Sequence, residues 1–251
     1  MDGRPKQFIF ILIAALMVLG SVMTASATVT ITGMTPGTGT VYSTATITGT
    51  CSSATSGTMT INFGTVTVGT AAVTGTGSFT CVFTVPLHIY GTETITATHD
   101  GADGSATTTF FVIPNIINIS PASNVVGTIV TITGTGYGTG DTITIAFGIN
   151  TNIQQATADA SGSFTTTFTV DTQVYGTTTI SASSSAAGTA STTFFILPQI
   201  YSVTPSTGSV GTIVTINGTG YANGDSITVM FGANTNIVGT TALASGSFTT
   251  T

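Results

Sequence analysis

The feature that most constrains this chain is a period. The stretch Pro114–Gly148, PNIINISPASNVVGTIVTITGTGYGTGDTITIAFG, returns almost intact at Pro198–Gly232 as PQIYSVTPSTGSVGTIVTINGTGYANGDSITVMFG. A worn version occupies Thr30–Gly64. Phe-Gly pairs begin at Phe63, Phe147 and Phe231, a spacing of 84 both times. Gly-Ser-Phe begins at Gly77, Gly162 and Gly246, Tyr-Gly-Thr at Tyr90 and Tyr175, and TTTFFVIP and STTFFILP end at Pro114 and Pro198. A fixed period outranks chain length in counting units. It divides the chain into residues 28–113, 114–197 and 198–251. The third copy stops at Thr251, the counterpart of Thr167, and is expected to be truncated.

Within one period, short alternating runs are separated by Gly, Asn, Asp and Ser turns, the pattern of a sandwich or barrel. In the second copy, Ile116–Ile119, Ile129–Thr135, Thr142–Phe147, Ser163–Val170, Thr177–Ser183 and Thr189–Leu197 read as strands, with turns at Pro121–Asn124 and Tyr137–Gly140. About seven strands per unit are expected. Alternation places Val130, Ile132 and Gly134 on one face and Thr131, Thr133 and Thr135 on the other. Threonine suits a wet outer face, being β-branched with a hydroxyl that water satisfies. The 60 Thr of the chain are therefore compatible with folded β-structure, as are the 41% hydrophobic residues.

The pattern P-x-I-x-x-I-x-P, then G-T-x-V-T-I-x-G-T-G-Y, then G-D-x-I-T-I-x-F-G resembles the IPT/TIG domain, an immunoglobulin-like sandwich. The second half, GSFTTTFTV through YGTTTISA to STTFFI, is similar to Ig-like repeats of prokaryotic surface proteins. The first copy departs from the pattern, lacking the opening Pro, the GTGY turn and the Asp of G-D. The resemblance implies an all-β chain of tandem immunoglobulin-like sandwiches, used as extracellular stalks, adhesion modules or accessory domains. It implies no reaction.

Residues 1–27 read as a secretory leader. Arg4 and Lys6 form its basic start, Phe8–Gly20 its apolar run, and Ala25-Ser26-Ala27 its small-x-small end, so cleavage is expected after Ala27. As an uncleaved anchor the run is short, since a bilayer needs about 20 apolar residues. After Lys6 the chain has no Lys or Arg but seven acidic residues, Glu93, Asp100, Asp103, Asp141, Asp159, Asp171 and Asp225, for a mature charge of 0 − 7 = −7. Phosphate neutralisation requires cations, so nucleic-acid partners are excluded. Polybasic attraction to anionic lipid is excluded with them, and no membrane contact is expected once the leader is removed.

Candidate chemistry is sparse. Cys51 and Cys81, the only cysteines, lie in the first copy on faces that alternation turns toward the core. Export favours a disulfide between them, worth roughly 3–4 kcal/mol for a loop of about thirty residues; buried free thiols are the alternative. His88 and His99 align with Gln173 and Ser184 of the second copy and read as surface loop residues. The loop His99–Gly104 carries Asp100 and Asp103, but calcium takes six to eight oxygens and an ordinary hairpin explains the pair. Asp141 and Asp225 read as turn residues, and Tyr137 and Tyr221 as core-edge seals rather than a sugar-stacking face. GTGYGTGD joins two strands and has no Lys, so it is not a phosphate loop. Asn118 and Asn217 open N-glycosylation sequons.

No catalytic, cofactor-binding or metal-ligating residue is assigned. The expectation is an exported, non-enzymatic spacer at the cell surface, with cell-surface proteins or glycans as partners. Self-assembly is a further expectation, because the sheets have few charges with which to guard their edges. An adhesin or carbohydrate-binding module is the alternative, and an accessory region of a secreted enzyme the third reading. Units follow one another without a Gly/Ser linker, which predicts limited bending.

Overall fold

A computed structural model describes residues 28–52, 56–101 and 103–251. The expected leader and its cleavage after Ala27 lie outside the described residues. Within the described residues all regular structure is β.

The first set of strands is β1 (Val29–Thr35), β2 (Thr38–Thr40), β3 (Thr44–Cys51), β4 (Gly57–Phe63), β5 (Val66–Val73), β6 (Ser78–Thr84), β7 (Gly91–His99) and β8 (Ser105–Ile113). They form two sheets, ordered β1-β3-β6 and β2-β8-β7-β4-β5. The second set is β9 (Asn115–Ser120), β10 (Ser123–Asn124), β11 (Ile129–Thr135), β12 (Thr142–Phe147), β13 (Asn150–Thr157), β14 (Phe164–Thr169), β15 (Gly176–Ser184) and β16 (Gly188–Ile196). It repeats the arrangement as β14-β11-β9 and β10-β16-β15-β12-β13. The third set, β17 (Gln199–Thr204), β18 (Thr215–Thr219), β19 (Ser226–Phe231), β20 (Asn234–Thr241) and β21 (Phe248–Thr250), pairs as β17-β18-β21 and β19-β20. Pairing is antiparallel except for two short parallel contacts, β2 with β8 and β10 with β16. These are tandem immunoglobulin-like sandwiches.

Alternation builds the cores as the pattern requires. On β11, Val130 and Ile132 are fully buried while Thr131 and Thr133 are only partly covered; Thr135, expected on the outer face, is instead 2% exposed, at the strand end opposite Asn115 where the units meet. The ring of Phe147 meets those of Phe168 and Phe194 at centroid distances of 5.3 and 5.8 Å. Phe231, the counterpart of Phe147, is 78% exposed, because residues 198–251 include no counterpart of β15 or β16 to cover it.

The copies agree even in their irregularities. The β1–β3, β9–β11 and β17–β18 pairs each carry a register shift at the same place, leaving Thr32, Ile117 and Tyr201 as the extra residues. A bulge bends and twists its strand, so its recurrence carries the same curvature into each copy. The peptide bonds before Pro36, Pro121 and Pro205 are all cis.

Two elements differ from expectation. Asn150–Thr157 is a strand, paired with β12 from Thr142↔Thr157 to Phe147↔Asn150, although its NTNIQQAT sequence shows no apolar alternation. It forms the outer edge of the larger sheet, where neither face has to be apolar. The expected turn at Pro121–Asn124 contains the short β10, held by β16 of the same unit.

Candidate functional site

The motifs that define the period meet where one unit passes into the next. Only Pro114 separates β8 from β9, and Leu197-Pro198 separates β16 from β17. At the first joint the Tyr90 N–H donates to the Tyr137 carbonyl at 3.1 Å, and at the second the Tyr175 N–H donates to the Tyr221 carbonyl, also at 3.1 Å. The Tyr90 ring meets Phe111 edge-on at 5.2 Å, and Tyr175 meets Phe195 at 5.3 Å. Tyr137 N–H and Tyr221 N–H in turn donate to the carbonyls of Gly162 and Gly246, both at 3.0 Å.

Glycine is required at this contact. Gly162 has φ 75° and Gly246 φ 78°, and a Cβ would approach the Ile89 Cα to 3.0 Å at the first and the Val174 Cα to 2.9 Å at the second. Tyr-Gly-Thr, the Phe-Phe strand end, GTGY and Gly-Ser-Phe are thus parts of one joint, built twice. Tyr90 also packs on the second unit's core, and Gln199 Nε2 donates to the Val126 carbonyl at 2.7 Å across the second joint. A shallow cleft lies beside the first joint between Val41–Ser43 and Asn115–Ile117. Tyr42 on its rim has φ 67°, the one positive-φ residue that is not glycine among the described residues.

The turn tyrosines are structural, as the sequence reading holds. Tyr137 is fully buried and its hydroxyl donates to the Ala182 carbonyl at 2.9 Å; burial pushes its phenol well above the ordinary range. Tyr221 stands edge-on to Phe248 at 5.2 Å. Asp141 and Asp225 brace their turns by accepting the N–H three residues earlier, Gly138 at 3.0 Å and Ala222 at 2.9 Å. Asn118 is exposed on β9, while Asn217 on β18 is half-buried, its amide oxygen accepting from Thr249 Oγ1 at 2.7 Å.

The expected disulfide is not formed. Cys51 and Cys81 are both free and buried. Both face the core, but Cys81 lies opposite Ile47 in the β3–β6 register, whereas Cys51 is four residues further along β3. Four residues of strand span about 13 Å, beyond the ~7 Å Cα limit of a disulfide. Each thiol finds a separate neighbour, Met59 Sδ at 3.6 Å from Cys51 Sγ and the Thr70 carbonyl at 3.8 Å from Cys81 Sγ. Burial pushes both thiols upward.

His99 is a second correction. It is no surface loop residue but the buried last residue of β7, paired across the sheet with Met59. Its Nδ1 lies 3.0 Å from Asp103 Oδ2, with the two side chains 2% and 0% exposed. Asp100, by contrast, is 58% exposed, so the two carboxylates of the loop part and do not converge as a calcium cradle would need. Cys51 joins His99 and Asp103, with one ligand-type atom from each within 4.8 Å of the others. In the sequence His99 and Asp103 share one loop, but Cys51 on β3 lies far from them and carries no signal that joins it to the pair. His88 stands apart, bonded to Glu93 Oε2 and the Ile89 carbonyl, both at 2.9 Å.

Comparison with known proteins matches residues 198–247 to the IPT/TIG domain. No curated protein matches the chain. Among solved structures it is similar to the Yersinia pseudotuberculosis adhesin InvE, at 15% identity and TM-score 0.33, covering 80% of this chain and 64% of that one. It is also similar to SGBP-B from a complex xyloglucan utilization locus of Bacteroides uniformis, at 16% identity and TM-score 0.27, covering 75% of this chain and 59% of that one. The BSP domain of a biofilm associated protein aligns at 21% identity and TM-score 0.24, covering 67% and 29%. The chain spans less than two thirds of the length of each. The family match falls on the third unit, and the strand order β17-β18-β21 within that unit is the order of β9-β11-β14 and β1-β3-β6 before it.

Proposed function

We propose that this chain is an exported cell-surface protein without catalytic activity, in which repeated sandwiches act as a rigid spacer. One observation carries the reading: the same joint, with the same hydrogen bond at 3.1 Å and the same Tyr–Phe contact, is built at both junctions. A flexible tether has no need of a joint at all, and a spacer needs each one alike. The leader pattern and the absence of Lys or Arg beyond Lys6 favour life outside the cytoplasm, where a trypsin-like protease finds no site. Asn118 is the open sequon should the host glycosylate its surface proteins.

Spin labels placed on exposed threonines of the first and second units test this reading by pulsed distance measurement. A single narrow distance distribution is expected. A broad one would mean the units tumble independently and the spacer reading is wrong.

A second reading, a glycan-binding adhesin, is favoured by Tyr42. It is 57% exposed on the rim of the joint cleft in a backbone conformation that costs a non-glycine residue about 1–2 kcal/mol, and such strain gathers at ligand sites. Glycan-array binding by residues 28–251 that is lost in Tyr42→Gly is the result this reading requires.

A further inference from the structure

The buried polar end of the first unit has no parallel in the second. Where the second unit seals this end with Tyr137, the first has Ser52, and Cys51, Met59, His99 and Asp103 gather nearby. Their counterparts are Gly136, Ile143, Ser184 and Ala187, none of them a soft or charged donor. A buried carboxylate is hydrogen-bonded, held protonated, paired with a cation or bound to a metal. Beyond Lys6 this chain has no Lys or Arg, so the cationic partner open to Asp103 is the neighbouring histidine, 3.0 Å away, or a bound ion.

We propose that Cys51, His99 and Asp103 form a site for a single zinc-class divalent cation, bound through Cys51 Sγ, His99 Nδ1 and the Asp103 carboxylate. Thiolate, imidazole and carboxylate are the ligand types zinc takes, and three protein ligands leave a fourth position. Met59 Sδ lies 3.6 Å from Cys51 Sγ. Charge selects the ion: one thiolate and one carboxylate neutralise a divalent cation, whereas Cu(I), which the sulfurs also attract, would leave a buried net negative charge. Binding releases the Cys51 thiol proton, takes the histidine as its Nε2–H tautomer, and replaces the 3.3 Å hydrogen bond that Nδ1 accepts from the Gly101 N–H. Nε2 is buried without a hydrogen-bond partner, 3.5 Å from Asp100 Oδ1. With the proton on Nε2, Asp100 becomes the outer carboxylate of a carboxylate–histidine–metal triad, a role that fixes ring orientation.

The test uses residues 28–251 stripped of metal by a chelator and titrated with Zn(II), with Co(II) as the spectroscopic probe. The expected result is one equivalent bound, a thiolate-to-cobalt charge-transfer band, and a rise in the melting temperature with zinc. Cys51→Ser and Asp103→Asn abolish the band while Cys81→Ser keeps it, and Asp100→Asn weakens binding by about 10–100-fold, the usual cost of losing an outer-shell partner. Far-ultraviolet dichroism confirms that each variant is folded. A band that survives in folded Cys51→Ser, stabilisation by Ca(II) but not Zn(II), or tight Cu(I) binding with zinc excluded would each overturn the proposal. So would the absence of any bound equivalent in folded wild-type protein.

Discussion

Tyr42 occupies the position of Gly127 and Gly211, both at φ 88° where Tyr42 has 67°. The turn therefore demands a left-handed residue in every unit, and glycine meets that demand without steric cost. A Cβ on Gly127 would touch nothing within 4 Å, so any loss on substitution is a matter of φ alone. Gly127→Ala is expected to destabilise the chain by about 1 kcal/mol, read as a lower urea midpoint with an unchanged slope. At Tyr137 the expectation concerns pH. Burial holds its phenol and the Cys81 thiol protonated more firmly in the fold than in the unfolded chain. Stability from these groups is level below their ordinary ranges. It is lost as pH rises, first through about 8.5 for the thiol and then about 10 for the phenol, because only the unfolded chain ionises there. Urea midpoints from pH 7 to 11 should fall accordingly, and Tyr137→Phe should flatten the upper part of the fall.

At the scale of elements, alternation made most strands legible. The alternating run Thr142–Phe147 coincides with β12, since Ile143, Ile145 and Phe147 all face the core. The strand Asn150–Thr157 was not legible, because an edge strand with polar residues on both faces leaves no period to read. The joint was half legible. Tyr-Gly-Thr, Phe-Phe, GTGY and Gly-Ser-Phe all recur in the sequence, but their spacing does not say that they touch across two units. Replacing Gly162 with Val forces a side chain against Ile89 in a left-handed backbone. It is expected to broaden the distance distribution between the first two units while leaving that between the second and third narrow. Each core should survive, so the strand signal in far-ultraviolet dichroism should not change.

For the whole molecule, residues 28–251 hold seven acidic side chains and no Lys or Arg. The ion pairs among the described residues all involve His88 or His99. Stability rests on buried apolar surface and ladder hydrogen bonds, while the net negative charge repels itself weakly. Raising NaCl from about 0.05 to 0.5 M screens that repulsion and has few exposed pairs to weaken. The melting temperature at pH 7 is therefore expected to hold or rise, and a clear fall would show that ion pairing contributes more than the charges allow.

The sequence by itself determined the period, an all-β sandwich or barrel, most of the inward and outward faces and the lack of cations beyond Lys6. Each follows from local alternation, turn residues or charge, which are properties of neighbours in the chain. Only the tertiary structure decided that Cys51 and Cys81 stand too far apart for a disulfide, since strand register rather than facing direction sets their separation. Only it placed Cys51 beside His99 and Asp103, because β3 and β7 belong to opposite sheets and meet at one end of the sandwich. The joint, too, is a tertiary fact, since the backbone bonds between units, Tyr90 to Tyr137 and Tyr175 to Tyr221, join residues more than forty positions apart.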